Sequence, residues 1–203
     1  DQIEVTELIN DSRKVTEGSV FVCISGAVSD GHAYVQQVAE KGAAAVIVEK
    51  DVEAPEGLTV IKVENTRYAL ALTSAAYFGY PAEKLKVIGI TGTKGKTTTT
   101  YMVKSILENA GYKVGLIGTI ETIIGDTVIP SANTTPESLL VQKYLRQMLD
   151  EGCDCAVMEV SSQGLMLHRT AGFTFDIGIF TNIEPDHIGP NEHTSFEHYL
   201  SCK

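Results

Sequence analysis

Basic residues are in short supply: 16 lysines and arginines stand against 26 aspartates and glutamates in 203 residues, for a net charge of −10. Binding along a nucleic acid or an acidic membrane surface needs clustered cations, so this balance argues against both partners. No apolar run is long enough to span a membrane, and the opening Asp1-Gln-Ile-Glu-Val-Thr6 lacks the basic and apolar regions of a secretion signal. A cytoplasmic location without membrane insertion is therefore expected. Cysteine is scarce too. Cys23, Cys153, Cys155 and Cys202 show no paired metal spacing, which points to four reduced thiols and speaks against a zinc site among them. Internal repeats and low-complexity stretches are absent as well.

What is present begins with composition. A 43% hydrophobic content over this length suffices for one or two cores, and ordinary domain size favours two. In the first part, β-rich runs at Ser19–Ile24, Ala45–Val48 and Thr59–Val63 alternate with helical stretches at Tyr34–Lys41 and Arg67–Phe78. Gly79 and Pro81 then punctuate the chain, so a boundary is expected near 81–86, with domains at 1–84 and 85–203. The second part reads strand (Val87–Thr91), helix (Thr97–Ala110), strand (Val114–Gly118), helix (Ser138–Glu151), strand (Ala156–Val160) and strand (Ile177–Thr181). Such alternation implies α/β architecture with a parallel sheet. Val141, Leu145 and Leu149, beside Leu140, Tyr144 and Met148, give the second helix a broad apolar face and belong to the core.

The run from Ile88 to Thr100 carries the chemistry. An apolar strand passes through Gly92-Thr93-Lys94-Gly95 into a helix that starts Lys96-Thr97-Thr98. Small residues let backbone amides face an anion, the lysine reaches terminal phosphates, and the Thr97 hydroxyl is suited to Mg²⁺. The strict phosphate-loop pattern places a further glycine where Ile90 stands, yet the strand–loop–helix mechanism survives. A nucleoside triphosphate is the expected ligand.

In open parallel sheets, ligands gather at the carboxyl ends of strands. Near the end of the otherwise apolar strand at 156–160 lies Glu159, which fits either a second Mg²⁺ ligand opposite Thr97 or a partner for a nearby lysine. The strand at 177–181 empties into Asn182, Asp186 and His187. His187 on its own chemistry fits a hydrogen-bonded structural residue at least as well as a metal ligand. The loop Ser131–Pro136 serves equally as a ligand loop or as a helix cap.

As a set, Thr91-Gly-Thr-Lys-Gly-Lys-Thr-Thr98, Asn133-Thr-Thr-Pro136, Glu159-Val-Ser-Ser162, Phe180-Thr-Asn182 and Asp186-His187 resemble, in order and spacing, the Mur ligases of peptidoglycan synthesis. Asp11-Ser-Arg13, Gly18-Ser-Val-Phe21 and Ser29-Asp-Gly-His32 resemble the UDP-binding domain of that family's MurE and MurF branches, and Asn-Thr-Thr-Pro favours MurE. The resemblance implies a small N-terminal α/β UDP-binding domain followed by part of a P-loop ATPase domain. It implies ATP and Mg²⁺ as cofactors, and a UDP-MurNAc-dipeptide and an amino acid (diaminopimelate or lysine) as partners, in a monomer. By the same resemblance, Lys96, Glu159, His187 and Lys203 are catalytic, with Thr97, Glu159, His187 and a carbamylated Lys203 as metal ligands. Gly92, Thr93, Lys94, Gly95, Lys96, Thr97, Thr98 and Asn182 would hold the nucleotide. Ser12, Arg13, Asp30, Gly31 and His32 fall to the UDP end of the substrate, and Asn133, Thr134, Thr135, Ser161 and Arg169 to its MurNAc-peptide end. A solvated Lys203 is the alternative at that position.

Two departures stand out. Gln163 replaces the commoner His after Ser-Ser, and Ile188-Gly-Pro-Asn-Glu-His193 replaces Leu-Asp-Tyr-His. The family's C-terminal amino-acid-binding domain has no counterpart here, so the chain is expected to be a piece of a larger ligase that binds its substrate weakly and forms no amide alone. Two other readings remain open on the residues: a non-catalytic UDP-sugar or nucleotide-binding module, and a relative of the folylpolyglutamate synthetases, which share the phosphate loop but lack a UDP-binding unit.

Overall fold

In the computed structural model, residues 5–26, 29–186, 188–189 and 192–203 are described. The chain divides into two compact units, residues 1–73 and 74–203. In the first, strands β1 (Leu8–Ile9), β2 (Val20–Val22), β3 (Ala45–Val48) and β4 (Thr59–Lys62) form a parallel sheet in that order. The Val-Phe-Val and Ala-Val-Ile-Val runs of β2 and β3 are buried throughout, as expected of central parallel strands. Helix α1 (Val35–Glu40) covers one face through Val35 and Val38, which join Ile9, Phe21, Val46 and Val48 in a core. Helix α2 (Thr66–Tyr77) begins at Asn65, whose Oδ1 accepts the Tyr68 amide at 2.9 Å in a side-chain cap.

The second unit holds β5 (Lys86–Thr91), α3 (Lys96–Asn109), β6 (Val114–Ile117), β7 (Glu121–Ile124), β8 (Thr127–Pro130), α4 (Ser138–Asp150), β9 (Cys155–Glu159), α5 (Ser162–Met166), β10 (Ile177–Phe180) and α6 (Phe196–Cys202). Its six-stranded sheet runs β10-β5-β9-β6-β7-β8, with the first four strands parallel. Alternate residues of the central strands face opposite layers. Val87, Ala156 and Met158 pack with Val141, Leu145 and Met148 of α4, whereas Ile88, Ile90, Cys155 and Val157 pack against Val103 and Leu107 of α3. The sheet is thus covered on both faces, and the apolar face read for the 138–151 helix is where the core lies.

Two features add to the expected parallel sheet. Strands β7 and β8 extend it as an antiparallel hairpin around Gly125-Asp126, with Ile123 opposite Val128. The glycine there has φ +55, a backbone that glycine adopts without penalty. Ala82 and Leu85, near the expected boundary at residue 84, are buried in the core of the second unit beside Val87. By contacts the division falls earlier, at Thr73, inside α2.

Candidate active site

Strand β5 delivers the chain into the loop 92–95, and α3 starts at Lys96 with Gly95 as its N-cap at φ +82. No side chain caps that helix start, so its leading amides remain available to an anion. Gly92 sits at φ +144, and a Cβ there would run into Thr181 Oγ1. The loop is fastened by the segment leaving β10. The Thr181 hydroxyl donates to Lys94 O at 2.8 Å, Asn182 Nδ2 donates to the same carbonyl at 3.0 Å, and the Lys94 amide donates to Asn182 Oδ1 at 3.0 Å. The Thr93 amide donates to Asn182 O at 3.0 Å. Asn182 therefore grips the backbone of Lys94 from both sides. Beneath the loop, Thr93 Oγ1 meets the buried Tyr199 hydroxyl at 2.9 Å and accepts the Glu184 amide at 2.9 Å. Lys94 pairs with Glu184 at 2.5 Å on the exposed side.

Two ammonium groups converge on this loop. Lys96 Nζ donates to Gly92 O at 2.9 Å and Thr93 O at 3.0 Å, and burial lowers its proton affinity. Lys203 Nζ donates to Thr91 Oγ1 at 3.1 Å and to the same Gly92 O at 3.0 Å, over the Tyr199 ring at 5.1 Å. Burial first, and the neighbouring Lys96 charge second, bring Lys203 down to about 8. It is half-buried against the loop, so the solvated reading of this lysine does not describe the structure.

Glu159, at the end of β9, is fully buried. Its Oε2 accepts from the Thr97 hydroxyl at 2.9 Å and the Thr119 hydroxyl at 3.0 Å, and its Oε1 from the Thr119 amide at 2.9 Å. Among the described residues no lysine lies within ion-pair distance of it. A carboxylate and a hydroxyl oxygen side by side at the head of a phosphate loop form the hard-oxygen donor set that Mg²⁺ prefers, so Thr97 and Glu159 fit that ion. His187 lies outside the described residues.

A cavity of about 190 Å³ opens beside these groups. Lys96, Asn133, Thr134, Thr135, Ser161, Arg169 and Lys203 all line it, so the loop at 131–136 is brought to the phosphate loop. Thr135 Oγ1 donates to Glu159 O at 3.0 Å and accepts the Ser161 amide at 2.9 Å, and the Thr134 and Thr119 hydroxyl oxygens lie 3.0 Å apart. Arg169 already serves Glu137 and the Thr135 carbonyl, from Nε and Nη1 at 3.0 Å each. The Ser161 hydroxyl accepts the Gly164 amide at 3.0 Å and caps α5.

In the first unit, Arg13 reaches Asp11 through Nε at 2.9 Å and Nη2 at 2.8 Å, and the guanidinium holds the Asp11 carboxyl down at about 2. The Ser12 carbonyl accepts from Lys41 Nζ at 2.7 Å. Gly31 opens a 3-10 turn, Gly31–Tyr34, whose N-cap Asp30 accepts the His32 amide at 3.1 Å. The His32 Nε2 accepts the Glu49 amide at 3.0 Å, so its Nδ1 proton is directed at Asp30, 2.6 Å away. Lys50, then His32, hold the Asp30 carboxyl well below the usual range. No hydrogen bond joins the Ser12–Arg13 and Asp30–His32 groups among the described residues.

Thr119, Thr181, Glu184 and Tyr199 were not singled out by sequence, although all four shape the site. Thr119 was findable, since it follows β6 at the carboxyl end of a parallel strand, where ligand-holding loops gather.

A largely parallel sheet covered on both faces, with a phosphate loop after β5 and a buried carboxylate at the end of the adjacent β9, defines a nucleotide-binding α/β protein. Residues 90–203 match the Mur ligase middle domain, and residues 4–78 match the Mur ligase family catalytic domain. The chain belongs to the Mur ligase family. It is 49% identical over 203 residues to the UDP-N-acetylmuramoyl-L-alanyl-D-glutamate--2,6-diaminopimelate ligase of Clostridium botulinum, covering 98% of this chain and 42% of that protein. The enzyme of the same name from Clostridium perfringens is 46% identical over 203 residues, with 100% and 42% covered. A solved structure of a ligase of that name superposes with a TM-score of 0.82 at 24% identity, covering 98% of this chain and 40% of the other, which bears on the fold alone. The chain thus spans about two fifths of the length of the curated relatives it matches. Among the described residues no helix is long and apolar enough to cross a membrane.

Proposed function

We propose that the protein carrying these residues is a cytoplasmic, monomeric ATP-dependent ligase of peptidoglycan precursor synthesis, and that these residues supply its nucleotide site and its UDP-sugar-peptide site. The terminal carboxylate of UDP-MurNAc-L-Ala-D-Glu attacks the γ-phosphorus of ATP, releasing ADP and leaving an acyl phosphate. The amine of an amino acid then attacks the acyl carbon, phosphate departs, and an amide forms. The names of the two clostridial relatives favour diaminopimelate as that amino acid.

In this reading Lys96 exchanges its loop carbonyls for the phosphate oxygens, and the uncapped amides at the start of α3 stabilise their charge. Thr97 and Glu159 would hold one Mg²⁺, and His187 with a carbamylated Lys203 a second, to neutralise charge on the transferred group. Lys203 can be carbamylated because its lowered proton affinity leaves a fraction of neutral amine near pH 7.5. That nitrogen attacks CO₂, loses a proton and becomes an anionic oxygen donor. Gly92, Thr93, Lys94, Gly95 and Thr98 with Asn182 keep the loop in shape around the nucleotide. Asn133, Thr134, Thr135, Ser161 and Arg169 present hydroxyl, amide and guanidinium groups to the MurNAc-peptide end. Ser12, Arg13, Asp30, Gly31 and His32 serve the UDP end.

The observation that carries this reading is the buried Glu159 carboxylate, 2.9 Å from the Thr97 hydroxyl at the head of the phosphate loop. Its test is ADP release by the full-length protein that depends on both UDP-MurNAc-dipeptide and diaminopimelate. Glu159→Gln should lower turnover by about 10²-fold or more, the scale of losing one preorganised electrostatic group. Full turnover in that variant, or none in the parent protein with any amino acid, would overturn the proposal.

A further inference from the structure

We infer that His193, His198 and Cys202 form a site for one borderline-soft divalent cation of the zinc class. One ligand atom from each of the three lies within 4.8 Å of the others. His198 and Cys202 are four residues apart on α6 and so share one face of that helix. His193 comes from the preceding segment, where its carbonyl accepts the Gly189 amide at 3.2 Å, and its ring stands edge-on to His198 with centroids 5.0 Å apart. The Ser195 hydroxyl caps α6 by accepting the His198 amide at 3.1 Å, which fixes the helix start between the two histidines.

The donor set decides the class of ion. Two imidazoles and a thiolate disfavour Mg²⁺ and Ca²⁺ and suit Zn²⁺ or Co²⁺ in tetrahedral geometry. Metal–ligand bonds of about 2.0 Å to nitrogen and about 2.3 Å to sulfur put tetrahedral donors roughly 3.5 Å apart. The trio must therefore close by about 1 Å, within reach of rotating the Cys202 side chain, which is only partly buried. The Thr194 amide donates to His198 Nδ1 at 3.3 Å and orients the ring; an ion at Nε2 shifts the ring proton to Nδ1, where Thr194 Oγ1, 3.2 Å away, accepts it in place of the amide bond. His193 also borders the cavity, which leaves a fourth position open to water. Cysteine spacing alone passed over this site because two of its three ligands are histidines.

The inference does not rest on the ligase reading, whose Mg²⁺ ligands are Thr97, Glu159, His187 and a carbamylated Lys203 and include none of these three residues. The test is a titration of the metal-free, reduced protein with Co²⁺. One equivalent should bring up thiolate-to-cobalt charge transfer in the near ultraviolet and the strong visible bands of a tetrahedral centre. Zn²⁺ should abolish them, whereas excess Mg²⁺ should leave them unchanged. Cys202→Ser should lose the charge-transfer band with its far-ultraviolet circular dichroism intact. His198→Gln should weaken Co²⁺ binding by at least about tenfold, since even outer-shell partners are worth about 10–100-fold. Should Cys202→Ser fail to fold, His198→Gln probes the same site with the native thiol in place. No bands in the folded protein, bands that persist in Cys202→Ser, unchanged affinity in His198→Gln, or displacement by Mg²⁺ would each overturn the inference.

Discussion

Replacing Gly92 by Ala tests how the phosphate loop is held. At φ +144 an alanine is forced into backbone space that is essentially glycine's own, a strain of about 1–3 kcal/mol. The new Cβ also runs into Thr181 Oγ1, so the hydroxyl must leave, losing the bond its one proton makes to Lys94 O at 2.8 Å, with Thr91 O at 3.2 Å as the alternative acceptor. One neutral hydrogen bond at about 1 kcal/mol brings the total to about 2–4 kcal/mol. Urea unfolding followed by hydrogen exchange at the β5 amides reads this number in the second unit alone, as a drop in midpoint at constant slope. The Thr181→Ala background has no hydroxyl to displace, so there the same Gly92→Ala change should cost only the backbone strain, giving a coupling of about 1 kcal/mol. A Gly92→Ala variant within about 0.5 kcal/mol of the parent, or an equal loss in both backgrounds, refutes the account.

Thr119→Val removes one hydroxyl from the buried Glu159 and should destabilise the protein by about 1–3 kcal/mol, read from the same unfolding curves, while also weakening Mg²⁺-nucleotide binding by calorimetry. Native protein treated with a thiol reagent should be modified first at Cys202; Cys23, fully buried and pushed up to about 12 chiefly by burial, should react only on unfolding, and mass mapping decides. Asp11 has its folded pKa depressed to about 2, so its pairing with Arg13 stabilises the fold fully above about pH 4, the unfolded value, and that contribution fades as pH falls toward 2. Acid unfolding of Asp11→Asn should lack this component. Lys203, lowered to about 8, acts in the opposite sense: its buried charge opposes folding below pH 8, and stability should rise between about 8 and the unfolded value of 10.5. Lys203→Met should flatten that rise.

The strand–loop–helix at 86–109 could be read from sequence because three signals coincide there: an apolar run, small residues at the turn, and a helix start rich in hydroxyls. The β7–β8 hairpin carried a signal as well, since Gly125-Asp126 separates two short β-branched runs, Thr122-Ile-Ile124 and Thr127-Val-Ile129, yet its residues fell between a strand and a helix already assigned. By resemblance Arg169 falls to the MurNAc-peptide end of the substrate, and the structure gives it the Glu137 carboxylate, 32 residues away, as a partner. No local pattern encodes such a pairing. By resemblance Asn182 falls to the nucleotide, and in the structure it clamps the Lys94 backbone of the phosphate loop. A side chain that shapes a loop and one that touches the loop's ligand look alike in one dimension, because both sit at strand ends and both are polar.

The carbonyl of Gly92 is a crossroads: it receives the ammonium from the first turn of α3 and the one from the end of α6. Lys203 feels the charge on Lys96, so neutralising Lys96, by substitution or by a bound anion, raises the hold of Lys203 on its proton with no change in Lys203 itself. Positions far apart along the chain are thereby yoked, and drift at either is never an independent event.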